Sequence, residues 1–377
     1  MPSSSNHDFL STARYAADQS NLLTDHRHTL DPAGATMPPI DPKLYQTIKL
    51  ERYDVGGHTL TRAAGLVPVK RRRMNSLEAT IAPEDYPRPD HDNQRLVVAF
   101  GNGVDSWAML IELHRRGIRP DCIQWADTGS ERAHTYRAFN VIQAWCQSVG
   151  FPPIVIVRRR CPKAGHRSLA EQTWHTQQLP SPAFHRNHSC SISWKLEPQR
   201  KYQQLLGWLW EDHEVATRKG TRVTEAIGYE AAEDKRSSRY TPDNTDDYQQ
   251  WYPLIDYGMD RQSCLESIDA AGLPRPGKSA CFFCPVSKLC ELKTMAIEEP
   301  ENIAFALALE ERFQAGPSFR REEFEPYRGL HGKTTWAEWM TTDPTATATI
   351  GLSSGALPPV DVADPVAKTV SPQLTLF

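Results

Sequence analysis

No apolar run in this 377-residue chain approaches the roughly 20 residues needed to cross a bilayer. The N-terminus also lacks a basic start followed by a compact apolar block, so neither a membrane span nor a secretory signal is expected. Net charge is small. The 43 Lys and Arg against 46 Asp and Glu leave −3, which excludes nucleic-acid binding by bulk charge while leaving room for local patches. Cysteine is sparse: eight scattered residues exclude a disulfide scaffold and favour a reducing, cytoplasmic setting. No internal repeat is present. The 39% hydrophobic content is enough to bury a sizeable core.

Residues 1–45 are rich in Ser, Asp, His, Thr and Pro without a sustained apolar period, which predicts a flexible arm with at most a short helix over 9–17. Residues 341–377 read as a similar tail. Between them the chain divides into an N-terminal extension (46–95), a unit of alternating strands and helices (96–260) and a helical region carrying a cysteine cluster (261–340). Apolar spacing predicts strands over 96–100, 122–126 and 154–157 and helices over 105–116 and 134–149. That β-α-β-α-β order implies a Rossmann-like α/β fold, a parallel sheet with helices on both faces. Cys122 and Cys146 fall at core positions of a strand and a helix; Cys161 and Cys264 have no assigned role.

The first strand runs into Gly101-Asn102-Gly103-Val104-Asp105-Ser106 at the start of a helix. Small residues let backbone approach an anion, and the first N–H groups of a helix lack partners inside it, so this turn is a candidate phosphate cradle. A Walker-type loop is excluded because no Lys-Ser/Thr pair closes the turn. Gly101-x-Gly103-x-x-Ser106 also approximates a dinucleotide fingerprint, with Asp127 near the ribose position. Serine in place of the third glycine and the Asp105 charge at the helix start both oppose that version.

The turn resembles the PP-loop of the ATP pyrophosphatase and adenine nucleotide α-hydrolase superfamily, usually Ser-Gly-Gly-Lys-Asp-Ser after a strand. Gly101, Asn102 and Val104 depart from that form. Trp125-Ala126-Asp127-Thr128-Gly129-Ser130-Glu131 is similar to the Asp-Thr-Gly segment of phosphoadenosine phosphosulfate (PAPS) reductases. Cys190-x-x-x-x-Lys195-x-x-Pro198 is similar to another segment of that branch, and so are Gly228-Tyr229-Glu230-x-x-Glu233-x-x-Arg236 and Tyr252-Pro253-Leu254. The likeness covers about 96–311. It implies an adenine nucleotide α-hydrolase-like fold and nucleotide contacts from Gly101, Asn102, Gly103, Asp105, Ser106, Asp127, Thr128, Gly129, Glu233 and Arg236. Asp105, Ser106 and Lys195 would be catalytic. With valine at 104 another cation is expected, and Arg158, Arg159 and Arg160 leave the third strand on the appropriate side.

Cys281-Phe282-Phe283-Cys284-Pro285 forms a Cys-x-x-Cys turn, with Cys290 just beyond. Two thiolates on one turn chelate, and Cys190 or Cys264 brought alongside would complete a site for zinc or an iron–sulfur cluster. Cys190, with Lys195 near it to favour thiolate, is the preferred partner, giving Cys190, Cys281, Cys284 and Cys290. Spacing does not separate the metals; the resemblance to sulfur-transfer and DNA-phosphorothioation proteins favours iron–sulfur over zinc. The chain lacks the terminal cysteine motif of assimilatory reductases, which argues against ordinary sulfate assimilation.

The resemblance implies an enzyme binding ATP or a related adenosine nucleotide with Mg²⁺, cleaving the α–β phosphate bond to adenylate an acceptor for sulfur transfer or a related modification. Sulfonucleotide reduction is one alternative, and a non-catalytic nucleotide- and nucleic-acid-binding module with structural zinc is another. The basic stretch from Arg158 through Lys163, Arg167, Arg186, Lys195, Arg200 and Lys201, with Lys70-Arg71-Arg72-Arg73 upstream, admits a nucleic-acid substrate. A sulfur- or electron-donor protein is a further expected partner; a membrane is not.

Overall fold

The computed structural model describes residues 40–69, 76–88, 95–161, 164–180, 189–208, 223–233, 248–320 and 327–341. The expected helix over 9–17, the basic run 70–73, Lys163, Arg186, Arg236 and the tail beyond 341 lie outside these residues.

Strands β1 (Leu50–Val55) and β2 (His58–Ala63) make a hairpin, followed by β3 (Val67–Pro68) and β4 (Leu77–Ala79). Strands β5 (Arg95–Phe100), β6 (Cys122–Ala126), β7 (Ile154–Arg159), β8 (Val223–Ile227) and β9 (Tyr248–Trp251) complete the set. The main sheet has seven strands in the order β3-β4-β7-β6-β5-β8-β9. Pairings from β7 through β9 are parallel, whereas β3 and β4 join antiparallel at one edge. The wholly parallel sheet expected from the repeating pattern is therefore corrected at that edge. Within the N-terminal extension, β3 and β4 join the edge of the main sheet next to β7.

The alternation of β5 explains its central place. Leu96, Val98 and Phe100 enter a core on one face, while Val97 enters a core on the other. The first face is covered by α1 (Val104–Arg115) and α2 (Ala133–Ser148), with residues of later helices joining them. Helix α3 (Leu169–Thr176) follows, and α4 (Glu197–Leu205) covers the second face through Tyr202 and Leu205. A π-helical stretch over Ile192–Leu196 leads directly into α4. The chain continues through α5 (Pro253–Asp256), α6 (Arg261–Ala270), α7 (Leu289–Glu298), α8 (Pro300–Ala315) and α9 (Trp336–Thr341). Leu254 of α5 and Cys264 and Ile268 of α6 join the first-face core, so Cys264 is a small apolar packer there.

A third core gathers Phe282, Phe283, Phe305, Leu309 and Trp336 around α3 and α7–α9. Cys122 and Cys146 are buried as expected. The end of the expected flexible arm is instead attached: Tyr45 packs on the first-face core, and its hydroxyl donates to the Phe151 carbonyl. Among the described residues, no helix is long and apolar enough to cross a membrane.

Candidate functional site

The parallel strands place the carboxyl ends of β5 and β8 side by side, the position where ligands of open α/β sheets bind. Gly101–Gly103 leave β5 and enter α1. Asn102 sits at φ 56°, the left-handed region that Asn tolerates better than most residues because its short side chain bonds locally. Its Nδ2 donates to the Thr135 carbonyl at 2.7 Å, and its Oδ1 accepts from Trp107 Nε1 at 3.0 Å. The Asn102 side chain is thus a buried strut between the loop, α1 and α2. Any anion contact from this residue falls to its backbone.

The Gly103 N–H donates to Ser106 Oγ at 3.0 Å, and the same hydroxyl donates to the Gly103 carbonyl at 2.9 Å. This reciprocal pair shapes the first turn of α1. Val104 is buried in the core, so a side chain at that position does not reach the crevice. Asp105, in the first turn, accepts from Arg261 Nη1 at 2.6 Å. A Cβ on Gly228 would lie 3.2 Å from the Asp105 carbonyl group and from Ser106 Cα, so glycine lets the end of β8 close on the loop. On the other side, Ser279 lies 3.5 Å from where a Cβ on Gly103 would be.

Asp127, expected on the nucleoside side, is fully buried beneath this surface. Its Oδ1 accepts from the Gly129 N–H at 2.7 Å and the Tyr136 hydroxyl at 2.9 Å. Its Oδ2 accepts from Arg158 Nε at 3.1 Å and also from Nη2. Arg158 is fully buried too, with a further bond from Nη2 to the Ala63 carbonyl at 2.8 Å. This overturns the expectation that Arg158 supplies the cation missing at Val104. Arg159 reaches Glu197 and the Ser193 carbonyl, and Arg160 approaches Glu78 at 4.0 Å. Among the described residues, a cation that does meet the loop is Arg261, 156 residues from Asp105, a separation with no local sequence signal.

Thr128 and Gly129 are likewise built into the frame. Thr128 donates to Glu131 Oε1 at 3.1 Å, its carbonyl accepts from the Leu169 N–H at 2.9 Å, and the Gly129 carbonyl accepts from Tyr53 at 2.8 Å. Gly129 has φ 67°, and a Cβ there would stand 2.8 Å from Ser168 Cβ. Glu233 ends a short turn over Ala231–Glu233 after β8, and Arg236 lies outside the described residues. The Ala231 N–H donates to the Met259 carbonyl at 2.8 Å, tying that turn to the segment before α6. Tyr229 and Tyr252, both within sequence motifs, stack with centroids 5.5 Å apart at 9°.

Cys281 pairs with Glu131 in an isolated antiparallel bridge, and the Phe282 N–H donates to the Ser130 carbonyl at 3.0 Å. The Cys-x-x-Cys turn is thereby fastened to the chain leaving β6. Lys195 Nζ lies 3.9 Å from Glu131 Oε1. The Glu131 carboxylate raises the Lys195 pKa, with smaller contributions from Cys281, Cys284 and Cys190. Burial raises that of Glu131, whose Oε2 has no hydrogen-bond partner among the described residues. The mutual interaction of the two thiols pushes Cys281 up and Cys284 down. Cys290 is exposed in the first turn of α7.

One zinc ion with bonds near 2.3 Å requires sulfurs roughly 3.8 Å apart. Among the described residues, no three cysteine sulfurs lie within 4.8 Å of one another, so the side chains as placed do not make a zinc site. A cluster of several irons spaces its thiolates more widely than one zinc ion does. The trio that does meet the 4.8 Å spacing is His134, Glu298 and Glu299. Arg132 approaches both carboxylates at 3.3–3.4 Å, and Asn302 donates to Glu299, so these groups already have partners.

Comparison with protein-family models and with curated proteins found no match.

Proposed function

We propose that the chain is a PP-loop enzyme of the PAPS-reductase-like branch that binds ATP or a related adenosine nucleotide. The observation that carries this reading is the Gly101–Ser106 turn at the carboxyl end of β5, closed on by Gly228 from β8. A polyphosphate there would meet backbone N–H groups at the start of α1, where the helix dipole favours negative charge. Gly101 and Gly103 leave room for that approach, Ser106 holds the turn's shape, and Asp105 is placed to meet a Mg²⁺ carried by the phosphates. Preorganised donors of this kind stabilise charge on departing pyrophosphate without reorganising during the reaction. The acceptor oxygen would be adenylated and made a leaving group for sulfur or another nucleophile.

Cys190, Cys281, Cys284 and Cys290 would hold the iron–sulfur cluster that the sequence resemblance implies, which supplies electrons or sulfur when bound. Lys195, paired first with Glu131, would also balance thiolate charge there. Incubation of the full chain with ATP, Mg²⁺, candidate acceptors, including nucleic acid, and a sulfide source is expected to release pyrophosphate on adenylation and AMP when sulfur displaces it. Asp105→Ala combined with Ser106→Ala should reduce that release by at least about tenfold, the scale of one lost charge-stabilising contact. An unchanged rate would overturn the assignment. The buried Val104 and the internally bonded Asn102 favour a second reading, nucleotide binding without turnover. Saturable ATP binding with no product under every acceptor tested would select it.

A further inference from the structure

The loop departs from its family pattern most sharply at Val104, whose side chain is in the core and leaves the crevice without the usual lysine. Arg261 stands at the opposite side of the Asp105 carboxylate, at the first position of α6, with its side chain about half exposed. Two features fix it there. Asp260 caps α6 by accepting from the Ser263 N–H at 2.8 Å and the Ser263 hydroxyl at 2.7 Å. The bond from Ala231 to Met259 anchors the preceding residues to the turn after β8. The guanidinium, on α6, is therefore tied through Met259 and Ala231 to the segment that closes on the phosphate loop, although it comes from a distant part of the sequence.

We infer that Arg261 is the phosphate-reading cation of this crevice, and that its ion pair with Asp105 opens when a magnesium–polyphosphate binds. This rests on the nucleotide reading above and assigns it a specificity determinant. An ion pair this exposed is weak, because water screens both charges. A polyphosphate offers the guanidinium a planar set of oxygens that accept two parallel bonds, and Mg²⁺ offers the carboxylate a divalent partner. Both members of the pair thus find a stronger partner in the same ligand. Adenosine lacks phosphate and metal and leaves the pair closed. Recognition through Arg261 consequently depends on the phosphate chain and not on the nucleoside.

Calorimetric titration of the full chain with Mg-ATP and with adenosine, on wild type, Arg261→Ala and Arg261→Lys, tests this. Removing a charge-assisted contact should weaken Mg-ATP binding roughly 10- to 100-fold in Arg261→Ala and leave adenosine affinity within about twofold. Arg261→Lys should recover part of the loss, since it restores charge without the fork. Thermal melting of the ligand-free variants identifies any that fail to fold, and the lysine variant then carries the comparison. Undiminished Mg-ATP affinity in Arg261→Ala, or an equal loss for adenosine and Mg-ATP, overturns the role of Arg261 while leaving the nucleotide reading intact. Wild-type protein that binds neither ligand overturns the nucleotide reading itself.

Discussion

Asp127 and Arg158 are both fully buried and bonded to each other, so neither can lose its partner cheaply. Asp127→Asn leaves the guanidinium without its nearest counter-charge, and equilibrium unfolding should show a loss of about 3–5 kcal/mol. Gly129→Ala combines a left-handed backbone with a Cβ placed 2.8 Å from Ser168 Cβ, and should cost about 2 kcal/mol or more in the same measurement. The expectation of a functional role for the Asp-Thr-Gly segment came from its resemblance to a reductase motif. Its structural use was not, because the deciding partner, Arg158, lies 31 residues further along. Asn102 carried a clearer signal: a non-glycine residue in a tight glycine turn needs a local reason to adopt positive φ, and Trp107 with Thr135 supplies it.

At the scale of elements, β5, β6, β7, α1 and α2 were legible because their apolar residues follow the period of each structure without interruption. The shorter β4 was hidden. Its central residue, Glu78, is nearly fully buried and pairs with Arg167 at 2.9 Å, so a charged residue occupies a core position. Strand β8 presents the same difficulty through buried Thr224 and Glu225. In α8, Glu310 is buried and accepts from the Leu330 and Trp336 N–H groups at 2.7 and 2.8 Å. Burial nevertheless raises its pKa from 4.5 to about 7. The folded chain therefore holds a proton on Glu310 over a range in which the unfolded chain has released it. Its contribution favours folding more at pH 5 than above pH 7, by a few kcal/mol at about 1.4 kcal/mol per unit. Urea unfolding between pH 5 and 8 should show stability falling with rising pH, with a smaller slope in Glu310→Gln.

Across the whole molecule, the sheet brings together segments that the sequence keeps far apart. The Cys-x-x-Cys turn is bound to the chain leaving β6 by the Glu131–Cys281 bridge, while Ser279, just before it, borders Gly103. Thiol chemistry and the proposed phosphate site therefore share one side of the sheet. An association of cysteines with the nucleotide site was expected only from the family resemblance; the distances did not follow from spacing. Anaerobic purification with iron, sulfide and zinc analysis should give iron and labile sulfide. Cys281→Ser should lower both by at least half, because it removes one arm of the turn. Stoichiometric zinc without sulfide would contradict the cluster assignment.

The central position of β5 also sets an order of events during synthesis. Its partner on one side, β6, follows after about twenty residues, but its partner on the other side, β8, begins only at Val223. A nascent chain that has emerged as far as β7 can pair five strands, β3-β4-β7-β6-β5, and bury part of their first face, yet it lacks Gly228 and Arg261. Closing so long a loop is slow compared with local pairing. The crevice consequently comes into being late. Ligand present in the cell would not assist the early stages of folding and would retain only chains that had already completed the sheet.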